Sequence, residues 1–301
     1  MRKALVVCGA TATGKTSLAV SLAKKLNTEI VSADSMLVYQ GLDVGTAKPT
    51  LKEREGVKHH LIDVVSPFES FSVSDYEKTA LPIVERLLAE GKTPVICGGT
   101  GFYIESLLYK SGFGNTPANA EIRAKYERIC EERGNEYLHA ILREKDPETA
   151  EKLHPNDIKR VIRALEIVEV TGQKKSLQQD ERTPRFPFLC VSIEYPRERL
   201  YERINLRVDE MFRLGLMDEV KGLLLQGVDV NCQCMQGIGY KEVVEGLAKG
   251  WTEEEIKELI KKNTRNYAKR QITFFKREKN QICLPFDQLD EQKVLDLLET
   301  P

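Results

Sequence analysis

Residues 9–16 most constrain what this chain can fold into, because they match the phosphate-binding pattern G-x-x-x-x-G-K-[ST] at every fixed position. A short apolar run suited to a β-strand, residues 4–8, precedes them. Three leucines follow at helical spacing, Leu18, Leu22 and Leu26. A strand, a glycine loop and a helix in this order direct backbone N–H groups and a helix N-terminus at one anion. A chance glycine turn is the alternative, and this context disfavours it.

The loop also predicts how a diphosphate would be held. We expect Lys15 to neutralise it as a mobile point charge, and the Thr16 hydroxyl to ligate a Mg²⁺ that bridges phosphate oxygens. The predicted diphosphate-binding or nucleotide-binding residues of the loop are Gly9, Ala10, Thr11, Ala12, Thr13, Gly14, Lys15 and Thr16.

Length and composition describe an ordinary soluble protein. The 301 residues, 41% of them hydrophobic and 30% charged, suffice for one large domain or for a core with a smaller module. No run approaches the length of a transmembrane span, so we expect a cytoplasmic protein without a membrane partner. The seven scattered cysteines, an odd number, are expected to be reduced thiols. A monomer is the working expectation.

Two further apolar runs are expected to end beside the loop. Residues 29–33 predict a strand followed by Asp34, and ligands of doubly wound parallel sheets lie outside the carboxyl ends of the strands. A helix cap is the alternative for the Asp34-Ser35 pair. Residues 94–97 predict a strand that ends in Gly-Gly-Thr-Gly, where a motor or switch NTPase would carry a Walker-B aspartate. Thr100 of this segment could hydrogen-bond a ligand, whereas nucleotide hydrolysis is disfavoured as the function.

The middle of the chain differs in composition from its two ends. Strand signals stop, and charged helical segments follow at 119–133, 136–143 and 157–170. We therefore predict an α/β fold, in which a P-loop NTPase-like parallel sheet has helices on both faces and carries an inserted all-helical domain. The sheet domain is assigned to residues 1–115 and 188–301, and the insertion to residues 116–187.

Shorter patterns complete the prediction. Residues 60–65 predict a strand, and residues 74–90 predict a helix with Ser74 as its N-cap. A helix at 198–214 carries Arg199, Arg203 and Arg207 at intervals of four, which is one stripe. That stripe either pairs with neighbouring glutamates or faces the diphosphate.

A basic helix is predicted at residues 252–279, with Thr252 and Glu255 as a capping box at its start. Residues 257–279 contain nine Lys and Arg and only two Glu, so this segment has a net charge of +7. The whole chain, by contrast, has a net charge of −1. A solvated helix would usually mix its charges, so a polyanionic partner is favoured. The helical period places Lys262, Arg265, Lys269, Thr273 and Lys276 on one stripe and Ile260, Tyr267 and Phe274 nearly opposite.

Taken in order, eight segments resemble the isopentenyl-tRNA transferase family, the tRNA dimethylallyltransferases of bacteria. These segments are residues 9–16, 32–35, 45–49, 98–101, 154–157, 163–166, 239–240 and 269–273. The resemblance runs from residue 3 to about residue 280, and the later segments separate the chain from generic P-loop kinases. It implies transfer of a dimethylallyl group from dimethylallyl diphosphate to N6 of the adenosine 3′ of the anticodon, position 37 of tRNA.

The resemblance also implies roles for individual residues. An adenine N6 is a poor nucleophile, so we expect the carboxylate of Asp34 to orient it and accept its proton. Thr100 is expected to hold the adenine or the leaving diphosphate, and Lys15, Arg207 and Arg123 to stabilise the charge that develops. Asp34, Thr100 and Lys15 are therefore the predicted catalytic residues.

The tRNA anticodon stem-loop is the implied macromolecular partner, embraced by the helical insertion, with the target base flipped out of its stack. The positions expected to contact tRNA are Asp34, Ser35, Met36, Leu37, Thr100, Arg123, Lys159, Arg160, Val161, Ile162, Arg163, Gln236, Gly237, Ile238, Gly239, Tyr240, Lys241, Lys269, Arg270, Gln271, Ile272, Thr273, Phe274, Phe275 and Lys276.

Three alternatives stay open. A small-molecule kinase would bind ATP in the same loop and use Asp34 as a base towards a hydroxyl, but it leaves the basic helix without a role. An RNA-binding switch gated by nucleotide is disfavoured by the missing Walker-B aspartate. An enzyme that prenylates free AMP is harder to separate from the sequence.

Overall fold

A six-stranded sheet forms the centre of the structure, which is a computed structural model that describes residues 2–110, 116, 118–177, 182–278 and 281–299. Its strands are β1 (Ala4–Cys8), β2 (Ile30–Ser32), β3 (His59–His60), β4 (Val95–Cys97), β5 (Phe188–Glu194) and β6 (Gln281–Pro285). They lie in the order β3-β2-β4-β1-β5-β6, and every pairing is parallel. β1 is therefore central, with Val6 in register with Ile96 and Cys190. The predicted parallel α/β architecture is confirmed.

Both faces of the sheet are covered. Neighbouring residues of a strand point to opposite faces, and Leu5, Val6 and Val7 are all fully buried. On one face, Leu22 of the first helix and Val294 of the last pack against the strands.

The helices of the described chain are as follows. They are α1 (Lys15–Lys25), α2 (Leu51–Arg54), α3 (Val73–Ala89), α4 (Gly101–Leu108), α5 (Ala120–Arg133), α6 (Asn135–Lys145), α7 (Pro147–Lys152), α8 (Ile158–Thr171), α9 (Arg197–Arg213), α10 (Leu216–Leu225), α11 (Tyr240–Lys249), α12 (Glu253–Phe275) and α13 (Glu291–Glu299). Short 3₁₀ turns connect some of them. No helix among the described residues is both long and apolar enough to cross a membrane.

The chain divides into two units. The sheet unit contains the residues up to Leu108 and from Pro184 onward, and the second unit is Tyr109–Thr183, against a predicted insertion at 116–187. In the second unit α5, α6 and α8 pack around a core of their own, with Tyr126, Leu138 and Leu165 buried.

A second apolar cluster of the sheet unit fixes the helices that surround the candidate site. It joins Val38 and Tyr39, which follow β2, to α9–α12. Ile256 and Ile260 of α12 and Tyr240 of α11 are fully or almost fully buried in it.

Several predicted elements need correction. The strand expected at 60–65 stops at His60, because Leu61 and Asp63 adopt positive φ of 62° and 57°. The third helix begins at Val73, since Ser72 and not Ser74 forms the capping box, with Asp75 as its partner. Helices α2, α4, α7 and α10 were not predicted. The capping box expected before α12, between Thr252 and Glu255, is confirmed.

Candidate active site

The glycine loop adopts the geometry of an anion cradle. Gly9 and Gly14 have positive φ of 121° and 88°, a region that glycine enters at little cost, and Ala12 between them has a φ of 63°. Gly14 is the N-cap of α1 and supplies no side-chain cap. The first N–H groups of α1 therefore stay open to a ligand, with the positive end of the helix dipole behind them.

Gln271 of α12 joins this loop to the loop that follows β4. Its Oε1 accepts a hydrogen bond from the backbone N–H of Thr11 at 2.9 Å, and its Nε2 donates to the carbonyl of Gly99 at 2.9 Å. A Cβ on Gly99 would lie 2.2 Å from that Nε2, so only glycine permits the contact. Gln271 is 5% exposed. The side chain makes both hydrogen bonds inside the protein, and its predicted contact with tRNA stays a prediction.

Lys15 and Thr16 begin α1 and line a small cavity of about 90 Å³. The Lys15 ammonium donates a hydrogen bond to the carbonyl of Ala10. Burial lowers the pKa of Lys15, an effect that the neighbouring cation Arg207 reinforces and that Cys97 and Asp34 oppose. An anion bound beside the Lys15 ammonium would favour the charged form of this lysine.

Asp34 lies in the same cavity as the phosphate loop, as the order of strands predicts. Its Oδ1 accepts the N–H of Met36 at 2.9 Å, which closes a local turn. The alternative of a helix cap does not hold, because residues 35–38 form a turn and no helix. Thr100 Oγ1 accepts the N–H of Ser35 at 3.0 Å, so the ends of β2 and β4 are tied together beside Asp34.

A second, larger cavity of about 380 Å³ adjoins the small one. Both are lined by Thr11, Asp34, Thr46, Arg207 and Tyr267. Much of the larger wall is apolar, and its apolar side chains are Met36, Ile204, Val208, Met211, Ile238 and Ile260. The arrangement joins an anion-binding compartment to an apolar one, with a carboxylate at the junction.

The arginine stripe of α9 is divided between the site and the surface. Arg207 donates to the carbonyl of Thr46 at 3.1 Å, and Arg203 donates to the carbonyl of Ala12 at 2.7 Å. Arg199 instead pairs with Glu202 at 3.3 Å on the surface. Burial lowers the pKa of Arg207, and the charge of nearby Asp34 opposes this. Arg203 and Arg207 thus bond to loops of the site, as one alternative predicted, whereas Arg199 pairs with a glutamate, as the other predicted.

Glu219 of α10 organises the loop that presents Thr46. Its carboxylate accepts the N–H groups of Asp43, Val44 and Gly45 at 2.8, 2.7 and 3.0 Å. The hydroxyl of Tyr240 donates to the same carboxylate at 2.6 Å. Tyr240 is fully buried and lies at the wall of the larger cavity, and its predicted contact with tRNA stays a prediction.

Sequence reasoning missed Glu219, Gln271's bridging role and Tyr267. Burial and the charge of Asp34 raise the pKa of Tyr267 to about 12. The apolar face of α12, on which Tyr267 was placed, gave the only signal for it. Glu219 lies on an unpredicted helix, and nothing in the local pattern distinguishes it from other surface glutamates.

The other residues of α12 that were predicted to contact RNA differ in how exposed they are. Lys269, Arg270, Ile272, Thr273 and Lys276 are exposed. Phe275 is buried, whereas Phe274 is half-buried and packs edge-on against Phe102. Two cations of the helix are neutralised in ion pairs, Lys257 by Glu254 and Lys261 by Asp209 and Glu258. Lys279 lies outside the described residues.

In the segments before α11 and on α8, exposure again differs between neighbours. Gln236 and Lys241 are exposed and line the larger cavity together with Gly237 and Ile238. Gly239 is buried. Lys159 and Arg160 of α8 are exposed, whereas Val161 and Ile162 belong to the core of the helical unit and cannot be surface contacts.

A buried glutamate organises the basic residues of the helical unit. Glu166 is fully buried and accepts hydrogen bonds from Arg123 at 2.9 Å, Arg163 at 2.5 Å and the N–H of Asn119 at 2.7 Å. Burial alone would raise the pKa of Glu166, but the two arginines hold it below its usual value. Arg123 and Arg163 therefore neutralise a buried carboxylate of the helical unit, in addition to any contact with RNA.

Comparison with known proteins decides the family. A family model described as IPP transferase matches residues 37–278. The chain belongs to the IPP transferase family. A tRNA dimethylallyltransferase of Acetivibrio thermocellus is 45% identical over 99% of this chain and 97% of its own length.

Solved structures of the family share the fold. The tRNA isopentenylpyrophosphate transferase of Bacillus halodurans has 39% identity and a TM-score of 0.73, covering 99% of this chain and 95% of that one. A eukaryotic dimethylallyltransferase, solved acting on tRNA, has 29% identity and a TM-score of 0.84, covering 98% of this chain and 78% of that one.

Proposed function

We propose that the protein transfers a dimethylallyl group from dimethylallyl diphosphate to N6 of the adenosine at position 37 of tRNA, releasing diphosphate. The observation that carries the proposal is the junction of the two cavities, where Asp34 and Arg207 line both. A phosphate cradle on one side and an apolar compartment on the other suit a prenyl diphosphate. The family relatives, which are named as tRNA dimethylallyltransferases, support the same reaction.

The leaving group is stabilised in the small cavity. As the C–O bond breaks, negative charge grows on the diphosphate, and Thr11 of the loop, Lys15 and Arg207 line the cavity that would hold it. Both cations are half-buried, and their partial removal from water strengthens their interaction with an anion. No attacking water has to be positioned, so the site needs no Walker-B carboxylate.

The residues present fit a magnesium ion held through the substrate. Among the described residues no group of three or more His, Cys, Asp or Glu side chains could hold a metal. Thr16 offers a hard hydroxyl oxygen in the small cavity, and Mg²⁺ accepts such a ligand beside phosphate oxygens and water. When bound, Mg²⁺ neutralises charge on the diphosphate.

The acceptor adenine is placed in the larger cavity, beside the prenyl chain. Asp34 accepts the proton that N6 loses as its bond to the prenyl carbon forms, and this restores a neutral product amine. The hydrogen bond from Ser35 to Thr100 keeps the segment after Asp34 in place. The base has to leave its stack to reach this depth, as in other enzymes that act on a base.

The exposed cations of α12 hold the RNA. Lys269, Arg270 and Lys276 are exposed, and Arg270 also lines the larger cavity. Exposed cations of this kind bind phosphates without reading sequence. The anticodon stem-loop is the proposed partner, and a cytoplasmic monomer the proposed working form.

One experiment separates the candidate reactions. The protein is incubated with labelled dimethylallyl diphosphate and either unmodified tRNA or AMP, and ATP consumption is followed in parallel with candidate metabolites. We expect label in tRNA only, recovered as an N6-modified adenosine. Label in AMP would favour the nucleotide prenyltransferase, and ATP consumption without prenyl transfer would favour a kinase. A Lys15→Met variant, which keeps the length of the side chain but not its charge, should abolish the transfer.

A further inference from the structure

Tyr201 of α9 is surrounded by cations from two helices. The Nε of Arg197 donates to its hydroxyl at 3.1 Å, and the Arg197 guanidinium carbon lies 5.2 Å from the ring centroid. From α12, the guanidinium carbon of Arg265 and the ammonium nitrogen of Lys269 each lie 6.0 Å from the same centroid. We call these four residues the Tyr201 patch.

The cations of the patch lack acidic partners. Within the described part of the chain, neither Arg197, Arg265 nor Lys269 makes an ion pair. Besides their contacts with the ring, Arg265 donates a hydrogen bond to the neutral side chain of Asn205, and Lys269 donates one to that of Asn266. Nearby cations on the same two helices behave differently, because Arg199, Lys257 and Lys261 all make ion pairs. The two helices therefore carry both cations that are paired with acidic side chains and cations that are not.

The positive charges of the patch act on the hydroxyl of Tyr201. Slight burial would raise the pKa of Tyr201, but the neighbouring Arg197 and Lys269 outweigh it and lower that pKa. Gathering cations around one ring costs mutual repulsion, which an anion would relieve. A phenol ring holds cations at its face without neutralising them, so they stay available to such an anion.

The patch lies next to the catalytic loop and to the exposed face of α12. Tyr201 packs against the apolar cluster that contains Ala10 and Ala12 of the loop. Lys269 belongs both to the patch and to the proposed RNA-binding residues of α12. The positive surface of α12 therefore continues onto α9.

We propose that the Tyr201 patch is a second contact surface for the RNA backbone, in which Arg197 and Arg265 bind phosphates of the tRNA next to those held by α12. The choice of RNA as the polyanion rests on the proposed function. The contact is independent of base sequence, because the patch offers charges and no built pocket for a base. Its effect falls on affinity and salt dependence, since none of its residues lines either cavity of the site.

The test measures equilibrium binding of unmodified tRNA across a range of salt concentrations. An Arg197→Gln/Arg265→Gln double variant should weaken binding at low salt about tenfold or more. It should also reduce the log–log salt slope by about 1.5, since each phosphate contact contributes about 0.7 to 0.9. The rate at saturating tRNA and the KM for dimethylallyl diphosphate should stay as in the wild type.

Two controls separate charge from structure. Arg199→Gln and Lys257→Gln also remove one cation each from α9 and α12, but from ion pairs, and should leave the salt slope unchanged. Arg197→Lys/Arg265→Lys keeps both charges and should keep the slope. A double Gln variant with the wild-type slope would overturn the patch while leaving the proposed function intact. A wild-type protein that binds no tRNA would overturn both.

Discussion

The hydroxyl of Tyr240 donates a 2.6 Å hydrogen bond to Glu219, the carboxylate that also accepts three consecutive backbone N–H groups at residues 43–45. The same segment continues to Thr46, whose carbonyl accepts a hydrogen bond from Arg207. A series of hydrogen bonds thus connects the buried Tyr240, through Glu219 and the loop at residues 43–46, to Arg207 in the candidate site. A Cβ on Gly45 would lie 2.6 Å from the Tyr240 ring, so the loop and the ring need glycine between them.

Replacing Tyr240 with Phe tests this chain of contacts. The change leaves a partly buried carboxylate without one of its donors, and we expect a loss of about 1–3 kcal/mol in the free energy of unfolding. Because Arg207 would be less firmly placed, KM for dimethylallyl diphosphate should rise more than kcat falls. Urea unfolding and steady-state kinetics measure the two effects. Tyr137→Phe, at an exposed tyrosine, is the control, and equal behaviour of both variants would count against the role of Tyr240.

Gln271→Leu tests the link between α12 and the phosphate loop. The substitution leaves the N–H of Thr11 and the carbonyl of Gly99 without their partner, at a cost of about 1–3 kcal/mol of stability. The loop should also bind inorganic diphosphate more weakly, which calorimetry measures. Gln226→Leu, at an exposed glutamine, should change neither quantity. Unaltered diphosphate affinity in Gln271→Leu would show that the loop holds its shape without α12.

Asp34→Asn tests the proposed base. An amide keeps the Oδ1 that accepts the N–H of Met36, but it cannot take a proton from N6. Single-turnover transfer should fall by about 10² to 10⁴-fold, while the affinities for tRNA and for dimethylallyl diphosphate change little. Near-normal turnover would remove Asp34 from the mechanism.

Neutralising Lys269 and Arg270 tests the RNA-binding face of α12. We expect weaker tRNA binding and a log–log salt slope reduced by about 1.5, because two phosphate contacts are lost. A Lys257→Gln/Lys261→Gln variant removes the same charge from ion-paired positions and serves as the matched control. An unchanged slope in the first variant would refute the assignment.

The lowered pKa of Glu29 should make the free energy of unfolding depend on pH. Burial would raise its pKa, but hydrogen bonds from His60 and Arg86 outweigh it and lower the pKa to about 2, from 4.5 in an unperturbed glutamate. Since the folded-state pKa is the lower one, the stabilisation is complete above about pH 4.5 and is lost as the pH falls towards 2. Urea unfolding of Glu29→Gln should show a flatter decline over this interval than the wild type. Glu121→Gln, at an exposed position, should follow the wild-type curve.

Local patterns were sufficient for the elements that carry their own signal. The glycine loop, β1 and α1 follow from a short pattern in which each residue acts through its own backbone or its near neighbours. The same holds for the capping box of Thr252 and Glu255. The parallel sheet follows as well, since apolar runs that alternate with helices leave few other arrangements.

Contacts distant in sequence were beyond such patterns. Thr11 and Gln271 are separated by 260 residues, and Glu219 meets Gly45 across 174. Helical spacing placed Arg199, Arg203 and Arg207 on one stripe, but only packing decided which two reach the site. Exposure was likewise a tertiary property, because packing decided which residues of α12 face solvent and which, such as Ala268, Gln271 and Phe275, face the core.

By itself, then, the amino-acid sequence determined the phosphate loop, the sheet that bears it and the basic character of α12, since each depends on interactions within a few residues. Only the tertiary structure decided that Gln271 and Tyr240 support the site from inside, that Glu219 holds the loop beside Arg207, and that Asp34 stands between two cavities. The physical reason is that burial and hydrogen-bond partners come from segments far apart along the chain, whose meeting is set by the packing of the whole sheet unit.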